Sequence, residues 1–209
     1  MQFPWTLTLC CLVAVVSGLV ARQPNANSTL PGSTAPIPGY SLFVPSWEVE
    51  VRTGERVVLN GTVHEVHHQL LKLNPDWESF AASRRKRSVL ERRGPSPDTT
   101  DHKCGGHPKG SKYYPKVLKD TAESLFWTDG VPKSAAGPQT CARIGCELDT
   151  GTWWCNHDTK EKSLEAWSNV ANVVKKMYRE RLCWQERATE VSHPDKWSVL
   201  VAGEDGLKC

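Results

Sequence analysis

Cys141-Ala142-Arg143-Ile144-Gly145-Cys146-Glu147-Leu148-Asp149-Thr150-Gly151-Thr152-Trp153-Trp154-Cys155-Asn156-His157 is the stretch whose reading decides the fold. Two short runs, Ala142 to Leu148 and Thr152 to His157, flank Asp149-Thr150-Gly151. Apolar and aromatic runs on either side of a Gly-containing turn predict a β-hairpin. Placing Thr150-Gly151 at the turn pairs Leu148 with Trp153, Cys146 with Cys155 and Ile144 with His157. Ile144, Cys146, Leu148, Trp153 and Cys155 then share a face that can be buried, and Trp154 falls on the other face, across from Glu147. A slip of one residue would mix the faces.

Helical periodicity lies on both sides of this hairpin. Pro115 to Phe126 has Pro at its first turn and Val117, Leu118, Thr121 and Leu125 on one side. From about Ser163 to Leu182, Leu164, Trp167, Val170, Ala171, Val174, Met177 and Tyr178 recur at intervals of three and four, the spacing of a core stripe. Trp197 to Val201 reads as a final strand, entered by His193-Pro194-Asp195. Helix, hairpin, helix, strand predicts the α+β class: a small disulfide-stabilised sandwich, with an antiparallel sheet and two helices packed on one face.

The cysteines set the compartment. Of eight in 209 residues, Cys10 and Cys11 lie inside the apolar run Leu7 to Ala21, and none follows until Cys104. That run has the length of a signal-peptide core and is too short for a comfortable membrane span, so residues 1–21 are expected to direct secretion. Met1 to Thr6 lack the usual Lys or Arg. Cys104, Cys141, Cys146, Cys155, Cys183 and Cys209 remain, which in an oxidising route implies three disulfides with 15 possible pairings. The triplets beginning at Asn27 and Asn60 are glycosylation acceptors and agree with an extracellular location.

Arg84-Arg85-Lys86-Arg87 stands just before Ser88, with Arg92-Arg93 close behind. Such a basic run in an exposed linker is what a kexin- or furin-type processing protease cuts. A solvated linker or a nucleic-acid patch is the plain alternative. The division expected is a propeptide over 22–87 and a mature cysteine-rich domain over 94–209. Within the first, 22–44 reads as disordered, 45–77 as a small ββα unit, and 78–93 as the processing linker. From Ser88 onward 18 Lys and Arg meet 17 Asp and Glu. A nearly neutral domain gives no electrostatic reason to expect nucleic acid, or stable insertion into an anionic membrane.

In the upstream unit Trp47, Val49 and Val51 alternate as in a half-buried strand. Arg52 to Glu55 reads as a turn, and Arg56 to Leu59 as a second strand. Thr62 and Glu65 form a capping box, Val63, Val66, Leu70 and Leu73 follow at helical spacing, and Asn74-Pro75 stops the helix. So small a unit is not expected to be stable alone, which suggests a folding aid or a mask docked on the mature domain. His64-Glu65-Val66-His67-His68 fits the HExxH pattern of zinc peptidases. The short helix, the capping role of Glu65 and the lack of a peptidase-sized surround argue against it. No metal and no cofactor are expected.

The strings Cys141-Ala142-Arg143-Ile144-Gly145-Cys146 and Trp153-Trp154-Cys155-Asn156-His157-Asp158, the helix ending at Cys183, and Trp197-Ser198-Val199-Leu200-Val201 resemble a family of small secreted cysteine-rich fungal proteins. Its pattern is C-x-R-[VI]-x-C, an aromatic pair and C-N-D. Leu59 to Val66 and Leu73 to Trp77 look like that family's pre-domain segment, and His157 departs from the pattern by interrupting the Asn-Asp step. The resemblance implies a secreted, effector-like protein of a filamentous fungus, with no catalytic residues to carry over.

The leading expectation is therefore a protein that binds a host or competitor protein, with Trp154, Asn156, His157 and Asp158 as the contact patch. The plain reading packs Trp154 in the core and gives Asn156 and Asp158 turn-forming roles. A killer-toxin-like antimicrobial protein is a second reading, which the neutral charge does not favour. A small hydrolase is a third, drawing on His102, His107, His157 and His193 with Glu147, Asp149 and Asp158. No nucleophile elbow, zinc signature or phosphate loop accompanies these residues, so catalysis is not expected. A carbohydrate-binding module, which needs exposed coplanar rings, is a weaker fourth.

Overall fold

The structure, a computed structural model, describes residues 35, 39–88, 101–104, 113–128, 130–184 and 188–203. The expectations for residues 1–21, Asn27, Arg92, Arg93, His107 and Cys209 lie outside these residues. The upstream elements are β1 (Ser41–Phe43), β2 (Ser46–Arg52), β3 (Glu55–Asn60), α1 (Val63–Leu73) and α2 (Trp77–Ser88). The downstream ones are β4 (Asp101–Cys104), α3 (Pro115–Trp127), β5 (Thr140–Glu147), β6 (Thr150–Asn156), α4 (Trp167–Arg179), β7 (Ala188–His193) and β8 (Trp197–Gly203). The class is mixed α+β. Six strands form one sheet in the order β1-β5-β6-β8-β7-β4, and β2 and β3 form a separate pair. The sheet is antiparallel except at β1, which runs parallel to β5.

The expected hairpin forms as β5 and β6, in a different register. Cys141 faces Cys155, Ala142 faces Trp154 and Arg143 faces Trp153; a bulge at Ile144 then brings Gly145 opposite Thr152 and Glu147 opposite Thr150. The turn is Leu148-Asp149, with φ of 48° and 54°. Two successive left-handed residues are what a two-residue type I′ connection demands. Gly151 serves another purpose than the turn assigned to it. A Cβ there would sit 2.0 Å from the Trp153 ring, so the bare backbone lets the indole lie against the strand.

The register corrects the faces. Ala142, Ile144, Trp154, Val199 and Val201 join the core that contains Leu118 and Leu125 of α3 and Val170, Val174 and Met177 of α4. Cys141, Trp153, Cys155, Leu200 and Ala202 cluster on the opposite side with Ala188, Tyr40 and Leu42. Alternation along a strand sends neighbours to opposite faces, and here both faces are buried.

Upstream, the ββα unit is present. Thr62 Oγ1 accepts from Glu65 N (3.3 Å) and Glu65 Oε2 accepts from Thr62 N (2.6 Å), the reciprocal capping box that opens α1. α1 stops at Leu73, and Asn74 caps it by donating its backbone N–H to Leu70 O. Three readings are corrected. Ser41–Phe43, placed in a disordered stretch, forms β1 because Leu42 and Phe43 add to the edge of β5. The region expected as a linker begins with α2, whose Trp77 and Ala81 are buried. β4 and β7, read as neither helix nor strand, extend the sheet beyond β8.

The upstream and downstream segments share one core. Trp47 is fully buried and stacks on Trp167, with ring centroids 3.8 Å apart and planes 20° apart. Phe43 meets Trp154 edge-on at 6.3 Å, and Trp154 meets Trp167 edge-on at 5.9 Å. Val49, Val51, Val63, Val66 and Leu70 belong to the same cluster.

Two disulfides are described. Cys141–Cys155 bridges β5 and β6 across directly paired residues, and Cys104–Cys183 joins β4 to the turn after α4 across 79 residues. Closing such loops in the unfolded chain is worth about 3 and about 4.5 kcal/mol, respectively. Cys146 is also disulfide-bonded. The expected register put it beside Cys155, but the bulge moves it opposite Gly151.

Candidate functional site

The expected contact patch lies at the end of β6, and its residues are mostly turned inward. Trp154 is fully buried between Phe43 and Trp167 and offers no surface to a partner. Asn156 is also fully buried. Its Nδ2 donates to Ser134 Oγ (3.0 Å), Ala135 O (3.3 Å) and Lys160 O (2.7 Å), and its Oδ1 accepts from Asp158 N (2.9 Å). It is a structural node that ties two loops to the strand end. Asp158 Oδ1 accepts from Thr159 N (2.8 Å), and Oδ2 lies 3.6 Å from Lys162 Nζ. Partial desolvation opposes its ionisation, but the Thr159 hydrogen bond, Lys196 and Lys162 together hold the carboxyl below its ordinary range.

His157 leads to a polar cluster that sequence reasoning did not assemble. Its Nδ1 lies 2.8 Å from Tyr40 Oη, and its Nε2 lies 2.7 Å from Ser198 Oγ and 3.6 Å from Glu190 Oε1. Ser198 Oγ donates to Glu190 Oε1 (2.8 Å). The loop end after β6, strands β7 and β8, and the residue before β1 thus meet at one point. His157 holds the Glu190 carboxyl below its ordinary range; burial works against this, and the Ser198 hydrogen bond adds to it. Burial raises the Tyr40 phenol, with the Glu190 charge a smaller contribution in the same direction.

A histidine and a carboxylate therefore converge, as the hydrolase reading requires. The proton directions do not suit it. Ser198 has one hydroxyl proton, and it goes to Glu190, so His157 Nε2 is the donor toward Ser198. In the neutral ring Nδ1 then accepts from Tyr40. A serine nucleophile needs the reverse, its proton pointing at the histidine. Ser198 is also fully buried. The cluster is built as a tie between strands.

The other candidates are dispersed. His102 is exposed on β4, and His193 stacks on Trp197 at 4.6 Å with Asp195 3.5 Å from its Nδ1. Asp149 is in the hairpin turn. His64 Nε2 lies 3.8 Å from Glu147, and burial pushes its pKa down against the pull of that carboxylate. Glu65 is taken up by the cap. Among the described residues no group of three or more His, Cys, Asp or Glu side chains is placed to hold a metal. Asn60 is exposed at the end of β3.

One cavity combines an apolar floor with charge. It measures about 340 Å³ and lies where α1, α2 and α3 meet. Val63, Leu70 and Trp77 provide apolar lining, and His67, Glu78, Asp120 and Glu123 provide titratable groups. His67 Nε2 lies 3.3 Å from Glu78 Oε1 and its ring meets Trp77 edge-on at 5.6 Å. Lys116 and Lys119 approach Asp120 and Glu123 at 3.5 and 3.9 Å along α3. Such exposed pairs contribute little and yield readily to a better partner. No sequence signal pointed here, because the cavity needs residues some fifty positions apart to be brought together by packing. Comparison with protein-family models, with curated proteins and with solved structures finds no match.

Proposed function

We propose that this chain is a secreted, effector-like fungal protein that binds a host or competitor protein, with the cavity between α1, α2 and α3 as the centre of contact. The scaffold is read as a small disulfide-stabilised sandwich with helices on one face of the sheet, cut at the basic run and without a catalytic step. The observation that carries the reading is the chemistry of the cavity. Trp77, Leu70 and Val63 offer an apolar floor, while Glu78, Asp120 and Glu123 stand at its walls. A partner's arginine side chain suits this arrangement, since its guanidinium stacks on an indole face and pairs with carboxylates. Disulfides that constrain the unfolded chain suit a protein exposed to proteases outside the cell.

The test is capture of partner proteins by the oxidised protein, compared with the charge-reversed variant Asp120→Lys/Glu123→Lys. Asp120 is half-buried and Glu123 exposed at the cavity wall, and neither belongs to the core, so the variant should keep its fold, as judged by circular dichroism. A partner retained by the native protein and bound at least about tenfold more weakly by the variant supports the reading, in line with the loss of a close interfacial charge pair. Equal binding by both proteins rejects the cavity as the contact site.

A further inference from the structure

We infer that cutting the chain within residues 84–93 leaves a two-chain protein, with the upstream fragment retained as a permanent structural part. This rests on processing at the basic run, which belongs to the function proposed above. Three independent attachments carry it. Strand β1 lies in the main sheet, where Ser41, Leu42 and Phe43 pair with Thr140, Cys141 and Ala142 of β5. The Trp47 ring, fully buried, is stacked on Trp167 of α4. Tyr40 Oη is hydrogen-bonded to His157 at the end of β6. Release would strip one edge of the sheet, open the aromatic core and remove two of the three helices that line the cavity. Burial on this scale is how one domain holds itself together, and differs from the thin, polar contact of a detachable mask.

The link is non-covalent. Between Cys11 and Cys104 the sequence has no cysteine, so once residues 1–21 are removed no disulfide can join a fragment ending in 84–93 to the rest. The cut itself is local. Processing proteases accept an extended segment, and the basic run occupies the last turns of α2. The anchors of that helix, Trp77 and Ala81, lie toward its start. Unwinding the end releases the Arg84–Glu50 pair and disturbs neither anchor.

The experiment treats the purified, oxidised chain lacking residues 1–21 with a kexin-type protease under native conditions. The expected result is two bands on a denaturing, non-reducing gel and one peak at the uncut mass on a native sizing column. The urea midpoint of the cut protein should rise with protein concentration, because unfolding now separates two chains, while that of the uncut protein should not. Upstream fragment eluting alone overturns the inference while leaving processing intact. Failure to cut the folded chain, where urea-unfolded chain is cut within 84–93, overturns it together with the processing reading. Repeating the native column with cut Trp47→Ala protein checks the mechanism: the fragment should dissociate at higher protein concentration than in the native sequence, and unchanged retention would remove the ring stack as the cause.

Discussion

The segment from Tyr40 to Ala81 and the sheet from Thr140 to Gly203 reach burial by different physical means. The downstream sheet is fastened by sulfur, with Cys141–Cys155 across its central hairpin and Cys104–Cys183 closing the larger loop. The upstream segment has no cysteine and is fastened by rings, with Trp47 on Trp167, Phe43 against Trp154 and His67 against Trp77. A cross-link acts mainly by restricting the unfolded chain and needs no particular packing partner. A ring stack contributes only when both of its sides are folded. The upstream unit therefore has little stability of its own and acquires it through the downstream one. The downstream helices in turn have part of their apolar surface covered only by the upstream unit.

Trp47→Ala is the sharpest way to break that comparison. Removing a fully buried indole should cost about 3–5 kcal/mol. If the two segments form one cooperative unit, far-ultraviolet dichroism and tryptophan fluorescence will still report a single coincident urea transition, shifted to lower denaturant. Two separated transitions, the second unchanged from the native protein, would show that the disulfide-bonded sheet is indifferent to its upstream cover.

A smaller effect is expected at the polar tie between the segments. Glu190→Gln removes the charge that accepts from Ser198 and faces His157, and should cost about 1.5 kcal/mol at neutral pH, the scale of a charge-assisted hydrogen bond. The folded pKa of Glu190 lies below its unfolded value. Its contribution is therefore complete above the ordinary carboxylate range and is lost as pH falls through the folded value. Native and variant urea midpoints should differ at pH 7 and draw together at an acid pH below the ordinary carboxylate range. A constant offset at both would mean that shape, and not charge, is what Glu190 supplies.

The same contrast explains what could be read in advance. Leu164 falls before α4, which starts at Trp167 and not near Ser163, but the capping box of Thr62 and Glu65, the stop at Asn74 and the Trp167–Met177 part of the stripe rest on interactions within one element and appear as expected. The register of β5 and β6 does not. The pattern reads Gly151 as a turn residue, while its missing side chain accommodates the Trp153 ring two residues further along β6. The bulge at Ile144 restores an apolar residue to the helix side, and no local signal marks it. The outward placement expected for Trp154 follows from the expected register and fails with it. Tyr40, Glu190 and the cavity walls are brought together by residues far apart in sequence, which pattern and spacing do not report. Glu190 has no local clue, since the apolar residues of Ala188 to His193 are Ala188 and Val191, three apart, and do not alternate as in a strand.

The least of the expected effects is a gain, and it tests the downstream hairpin by itself. Leu148 is exposed and held at φ 48° in the turn, where a branched side chain crowds the backbone. A left-handed L-residue costs roughly 1–2 kcal/mol, and Asn carries less of this because its short amide bonds locally. Leu148→Asn should therefore stabilise the protein by about 1 kcal/mol, since type I′ turns favour Asn at this place. The gain should persist after Cys141 and Cys155 are both replaced by Ala, because turn strain is a property of the folded backbone while the disulfide acts on the unfolded chain. A gain that disappears in the cysteine-free background would show that the cross-link, and not the local backbone, holds Leu148 in its left-handed conformation.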